Sequence, residues 1–355
     1  MLGGSFLAGI IAQKQGYPHL LKQFFIQTFS DRPPEVFVEE NQQPEESVPE
    51  PEIDTEIVEQ ALTIQSWQVS LNGKGISPSV EESSFLALGH IYGKSGDSNQ
   101  HPASTLIAMV PIINQLHPNM VFSLGDMVPE PTMEYIDQLE EDVFQKLDMP
   151  IFNAPGNHDV RNRILYEQRY GPTYYRFQNG PAIFIVLDTE IDPGKITENQ
   201  KVFLEKAVNQ ALENSEIKYI FILMHKVLFV PPETLRILFE SDVTTAAPNA
   251  KDFYFDHEFE PIMEKILIPA AAQKPVYLFA GDVGAWGGNF SPYYQKHPDA
   301  DLTMMAAGFG DSEFDVAIWV QYSIEDLQIS FIRSDGEYIP NYSQYNLDYY
   351  LDQIN

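Results

Sequence analysis

The 355-residue chain contains no cysteine at all. It can build no disulfide framework and no thiolate metal site, so any metal must be held by oxygen and imidazole. Cysteine content therefore leaves the compartment open. Basic residues are also scarce: 21 lysines and arginines stand against 51 aspartates and glutamates, for a formal net charge of -30. Nucleic acids and anionic membrane surfaces need a basic footprint, and none is present. The same charge repels phosphorylated molecules at long range, so a phosphate site here would need a positive field of its own. Long apolar runs are missing as well. The most apolar terminal stretch, MLGGSFLAGIIA at residues 1–12, falls short of the ~20 residues that span a bilayer. It has no positive n-region and no clear cleavage site.

Around that stretch the composition suggests an appendage. Residues 1–30 read as an apolar and amphipathic segment, with two readings open: an ordinary apolar terminus, or the remnant of a membrane anchor. Residues 31–61 (including RPPEVFVEENQQPEESVPEPEIDTEIVE) are rich in Pro, Glu and Gln and poor in large apolar side chains. That is the composition of a stiff, self-repelling linker. Together they outline a tethered domain, which favours an extracytoplasmic or membrane-tethered location over a cytoplasmic one. Order is expected from Leu62, and residues 62–355 form one large domain. Its insertion at 227–255 has no clear period and contains Pro231-Pro232; an irregular segment this long suits a functional loop or lid.

Within the domain, Thr63–Leu71 alternates as a strand, and Ser84–Leu88 reads as a buried one. Ala103–Leu116 and Thr132–Leu147 have helical period, each followed by a strand, giving a βαβαβ opening. Asn179-Gly180 marks a hairpin. Thr197–Leu212 is a helix capped by Thr197. Ile217–Met224 and Pro275–Ala280 are strands around a helical Glu258–Ala272. Strands at Leu302–Ala306, Phe314–Tyr322 and Leu327–Arg333 look antiparallel. The tyrosine-rich tail from Tyr338 is expected to pack back on the domain.

The residues that carry chemistry sit at strand ends. Val121–Leu124 is apolar and runs into Gly125-Asp126; Pro150–Ala154 runs into Gly156-Asn157-His158-Asp159. A strand delivers its last side chains to one sheet edge, where glycine permits a sharp turn. Two adjacent strands ending this way put a carboxylate, an amide oxygen and an imidazole around one point. That set suits a divalent cation that must also bind phosphate. His225 ends the strand Ile222-Leu-Met-His225, and Asp282 follows Ala280-Gly281.

This pattern resembles the calcineurin-like metallophosphoesterases, whose motifs are D-x-H, G-D, G-N-H-D/E, a lone His and G-H-x-H. The resemblance runs from Phe85 to Ser334 and takes in Gly171-Pro-Thr-Tyr-Tyr-Arg-Phe177 and Phe184-Ile-Val-Leu-Asp188. It implies an α/β (α+β) four-layer sandwich, two stacked mixed sheets flanked by helices. By the resemblance, Asp126 bridges two metals, Asn157 and His225 belong to the second, and His158 protonates or stabilises the leaving oxygen. Two motifs depart from the pattern. D-x-H becomes His90-Ile91-Tyr92, and G-H-x-H becomes Gly281-Asp282-Val283-Gly284. The second site thus keeps Asp126, Asn157 and His225 and gains Asp282. The first keeps Asp126 and His90, has a neutral phenol at Tyr92, and loses its last histidine to Gly284. A tyrosine with an ordinary pKa near 10 ligates Mn²⁺ or Mg²⁺ poorly at neutral pH.

One well-held ion is therefore expected rather than two, with Mn²⁺ favoured over Mg²⁺, Fe or Zn²⁺ for an oxygen-rich set. Arg161 and Arg163, just past the G-N-H-D turn, are placed to clamp phosphate oxygens. Tyr92 and Trp286 are candidates for contact with substrate. The expected activity is metal-dependent hydrolysis of a phosphate mono- or diester on a small molecule or glycan. The alternative is a catalytically weak or inactive descendant serving as a binding module at the cell surface.

Overall fold

The computed structural model describes residues 53–77, 82–94, 101–240, 258–285 and 290–353. The expectations for the apolar terminus, most of the acidic linker, Trp286 and residues 241–255 of the insertion lie outside the described residues. Among those described, no helix is long and apolar enough to cross a membrane.

Among the described residues, eleven strands are arranged in two sheets. The first has the order β11-β10-β1-β2-β3, built from β1 (Ser83–Leu88), β2 (Met120–Ser123), β3 (Ile151–Asn153), β10 (Val316–Tyr322) and β11 (Leu327–Arg333). β1, β2 and β3 run parallel; β10 lies antiparallel beside β1, and β11 lies antiparallel to β10 at the edge. The second sheet has the order β4-β5-β6-β7-β9-β8. It comprises β4 (Tyr175–Asn179), β5 (Ala182–Val186), β6 (Tyr219–Leu223), β7 (Val276–Ala280), β8 (Tyr293–Lys296) and β9 (Leu302–Ala306). β5, β6, β7 and β9 are mutually parallel, with β4 and β8 antiparallel at the edges.

Period-two alternation decides which side chains face the other sheet. In β1, Phe85 and Ala87 join the core between the sheets, while Leu86 and Leu88 turn to the helices outside. In β6, Tyr219, Phe221 and Leu223 face inward, and Ile220 and Ile222 face out. Phe85 sits at the middle of the inter-sheet core. Its ring meets those of Phe122, Phe184, Phe221 and Phe279 edge-on, at centroid distances of 5.6, 5.3, 5.1 and 5.5 Å. These are favourable edge-to-face geometries.

Helices cover both outer faces. α1 (Thr55–Thr63) and α5 (Glu198–Glu213) pack on the second sheet through Val58, Phe203, Leu204 and Ala207. α2 (Ser104–Leu116) and α3 (Met133–Leu139) pack on the first through Leu106, Met109, Ile113 and Ile136. The result is the expected four-layer sandwich of two mixed sheets flanked by helices.

Three expectations are corrected. The strand read over Thr63–Leu71 does not form: α1 ends at Thr63, and a 3₁₀ turn occupies Ser66–Gln68. That turn is held by a capping box in which the Gln65 N–H donates to Gln68 Oε1 at 2.8 Å. Trp67 consequently faces solvent and Val69 the core, and Leu71 reaches β3 by a single backbone bond to Ile151 O. α1 also begins inside the stretch read as linker. Asp54 caps it, and it is tied to the domain by Lys206–Glu59 and by the Arg176 Nε bond to Leu62 O. Finally, β9 is parallel to β7 and antiparallel only to β8, a short edge strand that the alternation of its four residues does not announce. In the tail, a helix (Leu347–Gln353) packs back as expected, with Tyr350 Oη donating to Pro292 O. The described part of the insertion includes α6 (Pro232–Glu240).

Candidate metal centre

The carboxyl ends of five strands from both sheets meet at one edge. The backbone locks them together before any side chain is considered. His90 N–H donates to Gly125 O, Tyr92 N–H to Asp126 O, and both Gly281 and Asp282 N–H to His225 O. His225 Nδ1 donates across the sheets to Leu124 O at 2.7 Å. His90 and Asp126 both adopt positive φ, 49° and 56°. Non-glycine residues seldom do so, and here the turn after each strand imposes it.

At the centre, Asp126, His225 and Asp282 each offer one ligand atom, all within 4.8 Å of one another. His225 is completely buried. Because its Nδ1 is committed to Leu124, its Nε2 is the atom that faces the carboxylates, 3.4 Å from Asp126 Oδ1 and 3.6 Å from Asp282 Oδ1. Nε2 has no well-aligned hydrogen bond, only the two carboxylates at ion-pair distance. A buried, unsatisfied ring nitrogen between two carboxylates is what a cation would satisfy. The electrostatics agree. Burial works against a charged ring at His225, yet the carboxylates of Asp126 and Asp282 outweigh it and push the imidazole up to about 9. Asp126 is driven well below the usual carboxylate range: burial opposes this, and the neighbouring His225 and His158 prevail. The donor set fits a divalent cation.

The other candidates fall into place around this centre. His90 faces the far oxygen of Asp126, with Nε2 3.7 Å from Oδ2, and anchors its Nδ1 on Phe309 O at 3.0 Å. Burial holds its pKa down despite those neighbours. It does not belong to the close three-residue cluster. Tyr92 packs against it with its ring tilted by 45° at 4.3 Å between centroids and sets its hydroxyl 3.5 Å from His158 Nε2. No side chain could be added at position 284. Gly284 has φ 85°, and a Cβ there would lie 2.8 Å from the backbone of Gly308. Position 284 therefore offers no first-site ligand, and the Gly308 backbone fills the space a side chain there would need.

His158 places Nδ1 on Pro129 O at 2.7 Å, its backbone N–H on Asp126 Oδ1 at 3.0 Å, and Nε2 on the solvent side, where exposed Arg161 marks the opening. Arg161 lies over it, Nη2 3.4 Å from His158 Nε2, with its other end on Glu130. Asp159, read with the metal-holding residues of its motif, turns the other way. Its Oδ2 accepts the N–H groups of Asp126 and Gly156, and its Oδ1 that of Met127. It shapes both motif turns from beneath.

Two expectations need correction. Arg163 does not reach the opening to clamp phosphate. It pairs with Asp188 at 2.6 Å and with Glu167 at 3.7 Å, fastening α4 (Arg163–Tyr170) to the end of β5. Asn157, expected as a metal ligand, has its Oδ1 engaged by Lys226 Nζ at 2.8 Å. Lys226 is the residue the sequence reading missed. Its side chain is 4% exposed, and Nζ also donates to Asp282 Oδ2 at 2.7 Å. The available signal was its position directly after a buried strand and a site histidine, where the chain cannot reach water.

No protein-family model matches this chain, and no curated protein matches it. Similar solved structures include a purple acid phosphatase from yellow lupin (Lupinus luteus) seeds, at 15% identity and TM-score 0.49, covering 74% of this chain and 54% of that one. A Streptococcus pneumoniae protein described as a predicted phosphoesterase matches at 13% identity and TM-score 0.34, covering 74% and 96%. Vps29 from Chaetomium thermophilum matches at 9% identity and TM-score 0.29, covering 72% and 92%. The match thus spans about half the length of the lupin protein. The resemblance to calcineurin-like metallophosphoesterases stands on the chain's own G-D and G-N-H-D motifs and on the two-sheet edge that brings them together.

Proposed function

We propose that the chain is a phosphoester hydrolase that works with one divalent cation. The observation that carries this reading is the buried, unsatisfied Nε2 of His225 between the carboxylates of Asp126 and Asp282. Those three residues would hold the ion, with Mn²⁺ the best match to two carboxylates and one imidazole in a chain without thiols. When bound, such an ion supplies Lewis-acid polarisation and a nucleophilic water at neutral pH.

The remaining work belongs to the chain. His158 donates Nδ1–H to Pro129, so the neutral ring presents Nε2 as an acceptor at the opening. A proton taken up there makes the ring a donor to a departing ester oxygen. Tyr92 and Arg161 flank that nitrogen and can orient phosphoryl oxygens. The Lys226 ammonium adds a fixed positive charge on the far side of Asp282, offsetting part of the acidic surroundings.

A second reading has its own support. Lys226 and the packed backbone at Gly284 remove groups that a two-ion site would need, as a binding module that no longer turns over substrate would also do.

Hydrolysis of bis(p-nitrophenyl) phosphate and p-nitrophenyl phosphate decides between them. The hydrolase reading expects turnover with Mn²⁺, its loss with a chelator, and its loss in Asp126→Asn. A chain that binds Mn²⁺ yet cleaves neither ester supports the binding module.

A further inference from the structure

Lysine is among the residues least often buried, and a buried ammonium persists only with close partners. Lys226 is buried, and its Nζ donates to oxygens brought from two different strand ends, one in each sheet. Asn157 Oδ1 comes from the turn after β3, at 2.8 Å, and Asp282 Oδ2 from the end of β7, at 2.7 Å. Asp282 is therefore shared: Oδ1 faces His225 Nε2, and Oδ2 faces the ammonium. A carboxylate bridging two positive positions, with an amide oxygen completing the second, is the arrangement of a pair of cation sites. At one of them the chain places the Lys226 ammonium. Glu190, 7% exposed, is a further carboxylate whose charge acts on Lys226.

We propose that the Lys226 ammonium is a resident cation standing in a divalent-ion position. It caps the number of ions the centre can hold, and its removal opens a site for one additional ion. The charges support exclusion. Asp126, Asp282 and Glu190 offer three carboxylates; Lys226 offsets one of them, and a single divalent ion balances the other two. A second divalent ion next to the ammonium would face a repelling charge at hydrogen-bond distance from its own ligands. The inference rests on these strand ends forming a cation-binding centre, as the hydrolase reading has it, and neither on turnover nor on wild type holding an ion.

The test compares Mn²⁺ stoichiometry in the full-length protein and in Lys226→Met, by elemental mass spectrometry after loading and desalting. Lys226→Arg serves as the charge-preserving control. The expected result is one more ion per chain in Lys226→Met than in wild type, and no gain in Lys226→Arg. Equal counts in wild type and Lys226→Met overturn the inference, as does a wild type that already holds two ions. A wild type with none and a variant with one upholds the resident-cation inference while removing the one-ion hydrolase reading, so the two fail separately. Should Lys226→Met not fold, Lys226→Gln takes its place, since it removes the charge and keeps a donor for Asn157 and Asp282.

Discussion

His158 Nδ1 sits on the Pro129 carbonyl, which fixes the ring with Nε2 toward the opening. An asparagine there keeps a polar group but can neither hold nor release the proton. His158→Asn should lower kcat on a phosphodiester by roughly 10²–10⁴-fold and leave the Mn²⁺ stoichiometry unchanged. Undiminished turnover would remove the role given to this histidine. Asp159 calls for a different expectation, because it carries three backbone donors from both motif turns. Asparagine offers one acceptor oxygen where the carboxylate offers two. Asp159→Asn should therefore cost on the order of 2–4 kcal/mol in denaturant unfolding and weaken Mn²⁺ binding through displacement of Asp126. At this scale Asp126, His225 and Asp282 were legible, since each closes an apolar run. Lys226 was not: the partners that make it a buried cation lie 69 and 56 residues away. Arg163 misled for the same reason. Adjacency to the G-N-H-D turn suggested phosphate, while its carboxylate partner lies 25 residues on.

At the scale of elements, the strand ends can converge only because the backbones approach closely. A Cβ at Gly281 would lie 2.2 Å from Leu124 O and 2.9 Å from the Cα of Gly89, contacts that no flexible side chain can relieve. Gly281→Ala should push β7 away from β1 and β2. A loss of roughly 1–3 kcal/mol in unfolding free energy, together with weaker Mn²⁺ binding, is expected. An unchanged unfolding midpoint would show that the edge is looser than this packing implies. Most strands were readable because a half-buried or buried strand writes its period into the sequence. The failures share a cause. In Thr63–Leu71 the alternation is real, but local capping between Gln65 and Gln68 closes a turn first, and no full neighbouring strand lies alongside to reward extension. β8 escaped notice because a four-residue edge strand with one fully buried side chain carries too little pattern.

The whole molecule sets the terms on which a phosphoester arrives. A net charge of -30 repels an anion at distances beyond the reach of Lys226, Arg161 or a bound ion. Salt screens that long-range field first, with a Debye length of about 10 Å at 0.1 M. The contacts at the centre, partly buried and short, are screened much less. Raising ionic strength from about 20 to 200 mM should therefore raise kcat/KM. The rise should be steeper for a dianionic monoester than for a monoanionic diester, because repulsion scales with substrate charge. Steady-state kinetics with p-nitrophenyl phosphate and its bis ester, at fixed free Mn²⁺, measures both slopes. A fall in kcat/KM with salt would mean that the positive charge gathered at the strand ends reaches past the acidic surface and steers substrate inward. A rise confined to kcat, with KM constant, would place the salt effect on a step after encounter. The expected pattern is a falling KM with a nearly constant kcat, since screening changes how often the anion reaches the edge and not the short contacts it makes there.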